Sequence, residues 1–422
     1  MRVVLDPRTR VLHGGRTLLS PTGRLLRLSE QGPAAIEALA RDEGGPAALK
    51  LARTLLDAGA AHPRPDPRQA DDVTVVIPVK DRAAELEVCL AALRGHDVLV
   101  VDDGSVEDVG GACARQGARV VHRPNGGPAA ARNTAIPLLD KDFVAFLDSD
   151  CLPPRGWLES LRGHFDDPEV VAVAPRVVGG PRSPLDLGPH PATVRPGSAV
   201  AYVPTAALVV RRTALVPFDE DLRYGEDVDL VWRLVEAGGV VRYDPSVVVE
   251  HAEPVRLLPR LQRRYRYGTS AAPLSQRHPG SVTHLVLPPW PTAVVALALA
   301  GRPRRALAAL SASAARLDQQ LDDRETSLRL AATAATGTAL GLGRALALLG
   351  PVAWWAATRD RRAALLLLAP VVQEWRERRP PEQPLAFGAR VLLDQAAYGA
   401  GVVAGCVRAG TAEPLLPRRS SR

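Results

Sequence analysis

A chain of 422 residues with 46% hydrophobic content is too long for one core and too apolar for a disordered polymer, so two or three domains are expected. Its formal charge of +7 is carried by arginine, since Lys50, Lys80 and Lys141 are the only lysines. Such a charge suits a phosphate-bearing substrate or an anionic membrane surface, and arginine enrichment by codon usage explains it equally well. The basic residues are not interleaved with aromatics on any one element, which argues against a nucleic-acid binder. Cys89, Cys113, Cys151 and Cys406 have no metal-type spacing and fit a reducing compartment. Arg2, Asp6, Arg8 and Arg10 interrupt any apolar leader, so a cytoplasmic location is expected.

Residues 1–61 read as a small α+β domain. RVVL, RVLHGG, RTLLSP and RLLRL suggest short strands between turn residues. Ser29 suits a helix N-cap before EQGPAAIEALA, and PAALKLARTLLDAGA is a second amphipathic helix ended by Gly59. Two helices with short strands resemble a winged-helix fold of the kind that recognises precursor peptides; a plain embellishment of the next domain is the other reading. The proline-rich run over 62–72 reads as a linker.

From Val73 the chain alternates apolar strands with helices. VTVVIPV, DVLVVDD, ARVVHR and DFVAFLDSD are separated by AAELEVCLAAL, VEDVGGACARQ and AAARNTAIPLL. That alternation implies right-handed βαβ units and a parallel sheet, in an α/β domain expected over 73–280. Residues 281–410 are rich in Ala and Leu and expected to be mostly helical. The stretch from His284 to Gly301 is uncharged but holds several prolines, which leaves open a soluble bundle, interfacial helices or attachment to the inner face of the cell membrane. The tail over 411–422 reads as disordered.

The chemistry lies in three acidic motifs: Asp102-Asp103-Gly104-Ser105, Asp148-Ser149-Asp150 and Glu226-Asp227. The first two follow apolar runs, and carboxylates just past buried parallel strands line the crevice where open α/β sheets bind ligands. A diphosphate leaving group would be repelled there, because two like charges about 4 Å apart cost about 4 kcal/mol at an effective dielectric of 20. Asp148 and Asp150 can instead hold Mg²⁺ or Mn²⁺, whose charge bridges the phosphates. Asp227 is expected as the general base, with Glu226 beside it to bind an acceptor hydroxyl or raise its pKa; acidic residues at a helix start are the plainer explanation for that pair.

VVIPVKDR, VLVVDDGS, the element from Asn125 to Asn133, AFLDSD and GEDVDLVWRL, in this order, resemble glycosyltransferase family 2 with its GT-A fold. The resemblance covers about residues 73–270. It implies a UDP-sugar donor, with Pro78, Asp102 and Asp103 at the nucleoside, Arg132 facing the diphosphate, and His251 completing the metal site. Gln262 to Gly268 falls where processive relatives carry a Gln-x-x-Arg-Trp motif, but Tyr265 and Arg266 stand at the Arg and Trp places. Arg264 is therefore expected only to close over pyrophosphate, and processive synthesis is put in doubt. The layout of the whole chain resembles a branch of the family that glucosylates a small peptide-derived redox-cofactor precursor by an inverting, metal-dependent reaction. Two competitors are transfer to a polyprenyl phosphate or cell-envelope glycan, and a non-catalytic scaffold.

Overall fold

The computed structural model describes residues 2–43, 45–180, 183–253, 256–380 and 382–419. They form two compact units, 1–253 and 254–422. The first unit opens with β1 (Arg2–Leu5), β2 (Arg10–Leu12), β3 (Thr17–Leu19) and β4 (Leu25–Arg27), followed by α1 (Gly32–Ala40), α2 (Pro46–Asp57) and β5 (Ala61–Arg64). β2, β3 and β4 make an antiparallel meander, while β1 pairs antiparallel with β5. Val3, Leu18, Leu39, Leu55 and Leu56 meet in a small core of their own. Ser29 does not cap α1; Gln31 holds that position, and Gly32 N–H bonds instead to the Ser29 carbonyl. Pro33 at the start of the helix has no N–H for a side chain to satisfy, which removes part of the reason for a cap.

A nine-stranded sheet follows. It contains β6 (Val73–Val79), β7 (Asp97–Asp102), β8 (Arg119–His122), β9 (Phe143–Leu147), β10 (Cys151–Leu152), β11 (Val170–Val178), β12 (Ala192–Thr193), β13 (Ala207–Arg211) and β14 (Val240–His251). Their order is β10-β14-β11-β13-β9-β6-β7-β8, with β12 beside β14. Helices α3 (Ala83–Ala92), α4 (Val109–Gln116), α5 (Pro128–Ala135), α6 (Trp157–Arg162) and α7 (Glu226–Glu236) lie between the strands in the chain. β9, β6, β7 and β8 are parallel, as the alternating pattern predicts. The sheet as a whole is mixed, because β13 runs antiparallel to both β9 and β11. The chain between β11 and β13 is a long excursion without a crossover helix, so it can return in the opposite direction. Val75, Ile77, Val100, Ala145 and Leu147 are fully buried and explain why these strands read as unbroken apolar runs. The α/β expectation and the GT-A arrangement both hold.

The second unit contains α8 (Leu257–Thr269), α9 (Ala271–Arg277), β15 (Val286–Leu287), α10 (Pro289–Leu299), α11 (Pro303–Leu321), α12 (Arg324–Ala347), α13 (Pro351–Arg359), α14 (Arg361–Arg378), α15 (Pro384–Ala409) and β16 (Arg418–Arg419). α8 and α15 cross through glycines: a Cβ on Gly268 would stand 2.2 Å from the Tyr398 carbonyl oxygen, and one on Gly401 2.0 Å from that of Tyr265. Of the segment expected to be disordered, 420–422 lie outside the described residues; β16 pairs in parallel with β15. Among the described residues no single helix is long and apolar enough to cross a membrane, and α12 with α13 would qualify only as a pair bent by 119°.

Candidate active site

The parallel strands deliver their last residues to one edge of the sheet. Asp148 follows β9 directly; its N–H bonds to the Ala206 carbonyl at 3.0 Å, and its own carbonyl accepts from Cys151 N–H at 3.0 Å. This turn starts β10, whose Cys151 pairs with His251 at the end of β14. A two-residue strand therefore brings His251 to the Asp-Ser-Asp motif from a hundred residues away in the chain. Ligand atoms of Asp148, Asp150 and His251 all lie within 4.8 Å of one another. His251 Nε2 is 3.4 Å from Asp150 Oδ1, and the buried Nδ1 has no hydrogen-bond partner.

Two hard carboxylates and one imidazole suit Mg²⁺ or Mn²⁺. The negative potential they create reaches nearby groups: burial, then Asp150 and Asp148, push the Cys89 thiol up to about 12. Asp150 also carries an ion pair to Arg82. The residues thus fit a divalent cation.

Arg132 on α5 is 4% exposed. Its Nη1 donates to Glu226 and its Nη2 to Asp148, both at 3.0 Å. Its guanidinium carbon sits 5.5 Å from the centre of the Phe218 ring. Burial opposes the charge, but Asp148, Glu226 and Asp227 outweigh it and hold the guanidinium above its ordinary range. Sequence reasoning placed Arg132 facing diphosphate; in the structure both arms of its fork are taken by carboxylates.

Glu226 and Asp227 open α7, after Gly225 with φ +84°, a conformation that favours glycine. Asp227 is pushed up to about 7 by burial first and by Glu226 next; Arg132 and the Val228 N–H pull the other way. A carboxyl whose pKa burial raises toward neutrality, set beside a second carboxylate, is a candidate for proton transfer.

At the other side of the edge stands the loop after β7. Since β6 separates β9 from β7, Asp102 lies about 10 Å from the Asp148 strand end. Asp102 accepts from Ser105 N–H at 2.9 Å, and His122 Nδ1 lies 2.8 Å from its second oxygen. Burial raises its pKa, but these hydrogen bonds win and leave it lowered. Asp103 accepts from Arg123 at 2.6 Å and from the Gly126 and Gly127 N–H groups at 2.9 and 2.7 Å. Gly104 has φ +76°, and a Cβ there would stand 2.9 Å from Asn125 N, so the motif has room only for glycine. Pro78, half-buried on β6, pairs with Val101 just before this loop. Arg264 is half-buried on α8 of the second unit.

Sequence reasoning missed the fasteners. Asp81 and Arg82 both have φ +59°, a costly conformation for side-chain-bearing residues. Asp81 N–H bonds to Ser105 Oγ at 2.7 Å, Val106 N–H to Asp81 at 2.8 Å, and Ala83 N–H to Glu107 at 2.7 Å. These bonds lock the loop after β6 onto the loop after β7. Arg82 and Arg123 stand inside the motifs already noticed, and a basic residue amid acidic motifs was the available signal.

A mixed α/β sheet with a metal-fitting aspartate pair and an acidic helix start fits a glycosyltransferase. The profile of Glycosyl transferase family 2 matches residues 74–203, and the chain belongs to that family. Over nearly its whole length it is similar to the pre-mycofactocin glycosyltransferase of Mycobacterium tuberculosis (strain ATCC 25618 / H37Rv), at 42% identity covering 99% of this chain and 97% of the relative. Glycosyltransferase AglE of Haloferax volcanii is 37% identical, but over only 21% of this chain and 33% of its own. Among solved structures, glucosyl-3-phosphoglycerate synthase from Mycobacterium tuberculosis, in complex with Mn²⁺, uridine diphosphate and glucosyl-3-phosphoglycerate, covers 49% of this chain and 79% of its own at 21% identity and TM-score 0.40.

Proposed function

We propose that this chain transfers a hexose, glucose by expectation, from a UDP-sugar to a hydroxyl of pre-mycofactocin, a small peptide-derived acceptor, with inversion at the anomeric carbon. The observation that carries the reading is the convergence of Asp148, Asp150 and His251, joined through the buried Arg132 to Glu226, the neighbour of Asp227. The near-full-length likeness to the mycobacterial relative supports the acceptor.

Asp148, Asp150 and His251 would hold Mg²⁺ or Mn²⁺, which when bound supplies Lewis-acid charge for a departing diphosphate. The loop built on Pro78, Asp102 and Asp103 is the proposed seat of the nucleoside. Arg132 positions Asp148 and Glu226 with fixed, desolvated charge and needs no reorganisation as the reaction proceeds. The acceptor hydroxyl gives its proton to Asp227 while its oxygen bonds the anomeric carbon from the face opposite the phosphate. The anomeric carbon–oxygen bond to phosphate breaks, and UDP leaves with the bonding pair. A base that titrates near 7 takes that proton more readily than an ordinary aspartate and is still substantially ionised at neutral pH.

We further place the protein on the cytoplasmic side, against the inner membrane surface. Trp355, Leu365 and Leu368 are exposed on α13 and α14 beside the exposed Arg359, Arg361 and Arg362, a pairing that suits anionic headgroups.

The test is a donor and acceptor screen by mass spectrometry, using several UDP-hexoses with Mn²⁺ or Mg²⁺. Addition of a hexosyl unit to the peptide-derived precursor supports the proposal. Transfer only to a polyprenyl phosphate, or no nucleotide binding with any donor, refutes it.

A further inference from the structure

At the far edge of the same sheet, where β11 and β14 begin, the first unit encloses a cleft of about 140 Å³. His62, Arg64, His164, Arg242, Tyr243 and Asp244 line it, and prolines supply much of the remaining wall. Arg242 and His251 are separated by most of β14, which at about 3.3 Å per residue puts the cleft up to about 30 Å from the Asp150 cluster. It is a separate place with its own chemistry.

Arg242 is 3% exposed. Its Nη1 donates to Thr193 Oγ1 at 2.5 Å, while its Nε is buried without a hydrogen-bond partner. Among the described residues no carboxylate is within ion-pair distance of it. Burial pushes the guanidinium down to about 10; Asp167 and Asp57 favour its charge from a distance, and Arg53 and Arg195 oppose it. A buried guanidinium without a paired anion is expensive.

The neighbouring groups do not supply that anion. Asp244 is committed to His164, whose Nε2 lies 2.8 Å from its Oδ2, and to the backbone and hydroxyl of Ser246. His164 is 4% exposed, and its Nδ1 likewise has no partner. Asp6 is committed to Arg8 and His62. Arg64 is exposed at the same cleft and carries a second positive charge.

The backbone is also shaped for an opening here. Pro175 pairs with Asp244 and Arg176 with Val248, so Pro245, Ser246 and Val247 bulge out of the ladder. Asp244 ties that bulge down through Ser246. Bulges of this kind re-aim side chains at binding sites more often than they occur as accidents.

We propose that this cleft is a second ligand site, which takes the oxyanion head of a small molecule, a carboxylate or a phosphate, on Arg242 with Arg64 at its mouth. The anion supplies the missing counter-charge, and the prolines hold the walls open around it. The inference does not depend on the transfer reaction or on its acceptor.

The test is isothermal titration of the full chain, without nucleotide sugar or metal, with inorganic phosphate and separately with benzoate. Binding of either probe at millimolar concentration is expected. Arg242→Met should weaken it about tenfold or more, the loss expected for a charge-assisted hydrogen bond. Should Arg242→Met fail to fold, Arg64→Met reads the same site from an exposed position and should weaken binding by about two- to fivefold. Chemical modification of Arg64 by phenylglyoxal should also slow when the probe is present. Binding of phosphate alone or benzoate alone identifies the head group. If neither probe binds, or if binding is the same in the Arg242 and Arg64 variants as in the wild type, Arg242 is only a packed joint and the proposal falls.

Discussion

Replacing Arg132 by methionine keeps the buried volume close to constant and removes one charge. Two carboxylates, Asp148 and Glu226, then lose a partner at 3.0 Å each, and Asp227 loses the cation that lowers its pKa. At an effective dielectric of 20 each contact is worth about 4 kcal/mol before desolvation, and breaking a buried pair typically costs about 3–5 kcal/mol in net stability. Urea unfolding followed by tryptophan fluorescence should show a loss of about that size at neutral pH. The loss must also depend on pH. Asp227 already titrates above its unfolded value, so its contribution is favourable at low pH and is lost as pH rises through its folded pKa. Without Arg132 that folded pKa rises further. The deficit of the variant should therefore be largest near about pH 8 and shrink towards about pH 5, as the carboxyl takes up a proton. A deficit below about 1 kcal/mol, or one that stays flat over that range, refutes the view that Arg132 is the shared counter-ion.

Asp227→Asn should keep UDP-sugar binding by titration calorimetry but lose transfer by roughly two to four orders of magnitude. In the wild type, kcat/KM should fall about tenfold per unit as pH drops below about 7, because only ionised Asp227 accepts the proton; a plateau down to about pH 5 would exclude it as the base. Mn²⁺ should raise the melting temperature of the wild type and not that of Asp150→Ala, since a ligand stabilises only the state that binds it. Gly401→Ala should destabilise the helical unit by roughly 2–4 kcal/mol in thermal melts, given the 2.0 Å approach of its Cβ to the Tyr265 carbonyl; an unchanged melt would mean that α8 gives way freely.

The parallel half of the sheet was legible because burial on both faces writes itself as an unbroken apolar run. VTVVIPV became β6, and DVLVVD and FVAFL became β7 and β9 with scarcely a residue's shift. β11, β13 and the first half of β14 were not legible. β11 pairs antiparallel with β13 and in parallel with β14, joining segments far apart in the chain that carry no local signal of their partners, and only the end of β14 stood out, through SVVVE. Asp148 and Asp150 stood out because one residue separates them after an apolar run, whereas His251 came only from the family resemblance; the structure brings the three together. That Arg132 holds two carboxylates was not readable, since it depends on α5 and α7 meeting across the site. The cleft around Arg242 left no trace in the sequence at all, because its residues come from β5, the turn after α6, the segment around β12 and the start of β14.

The ion pair between Arg82 and Asp150 has a consequence for how the protein waits between turnovers. Half of the Arg82 side chain is open to water, so it can swing away at little cost, whereas Asp150 is sunk in the site. The acidic pair is not left bare: a cation binding there would trade places with an arm of the protein instead of relieving an unscreened cluster. The chain can fold before any ion arrives, and its grip on one is only the margin by which a doubly charged sphere outbids a tethered guanidinium. The arginine so displaced would be left one short swing from whatever negative charge enters next.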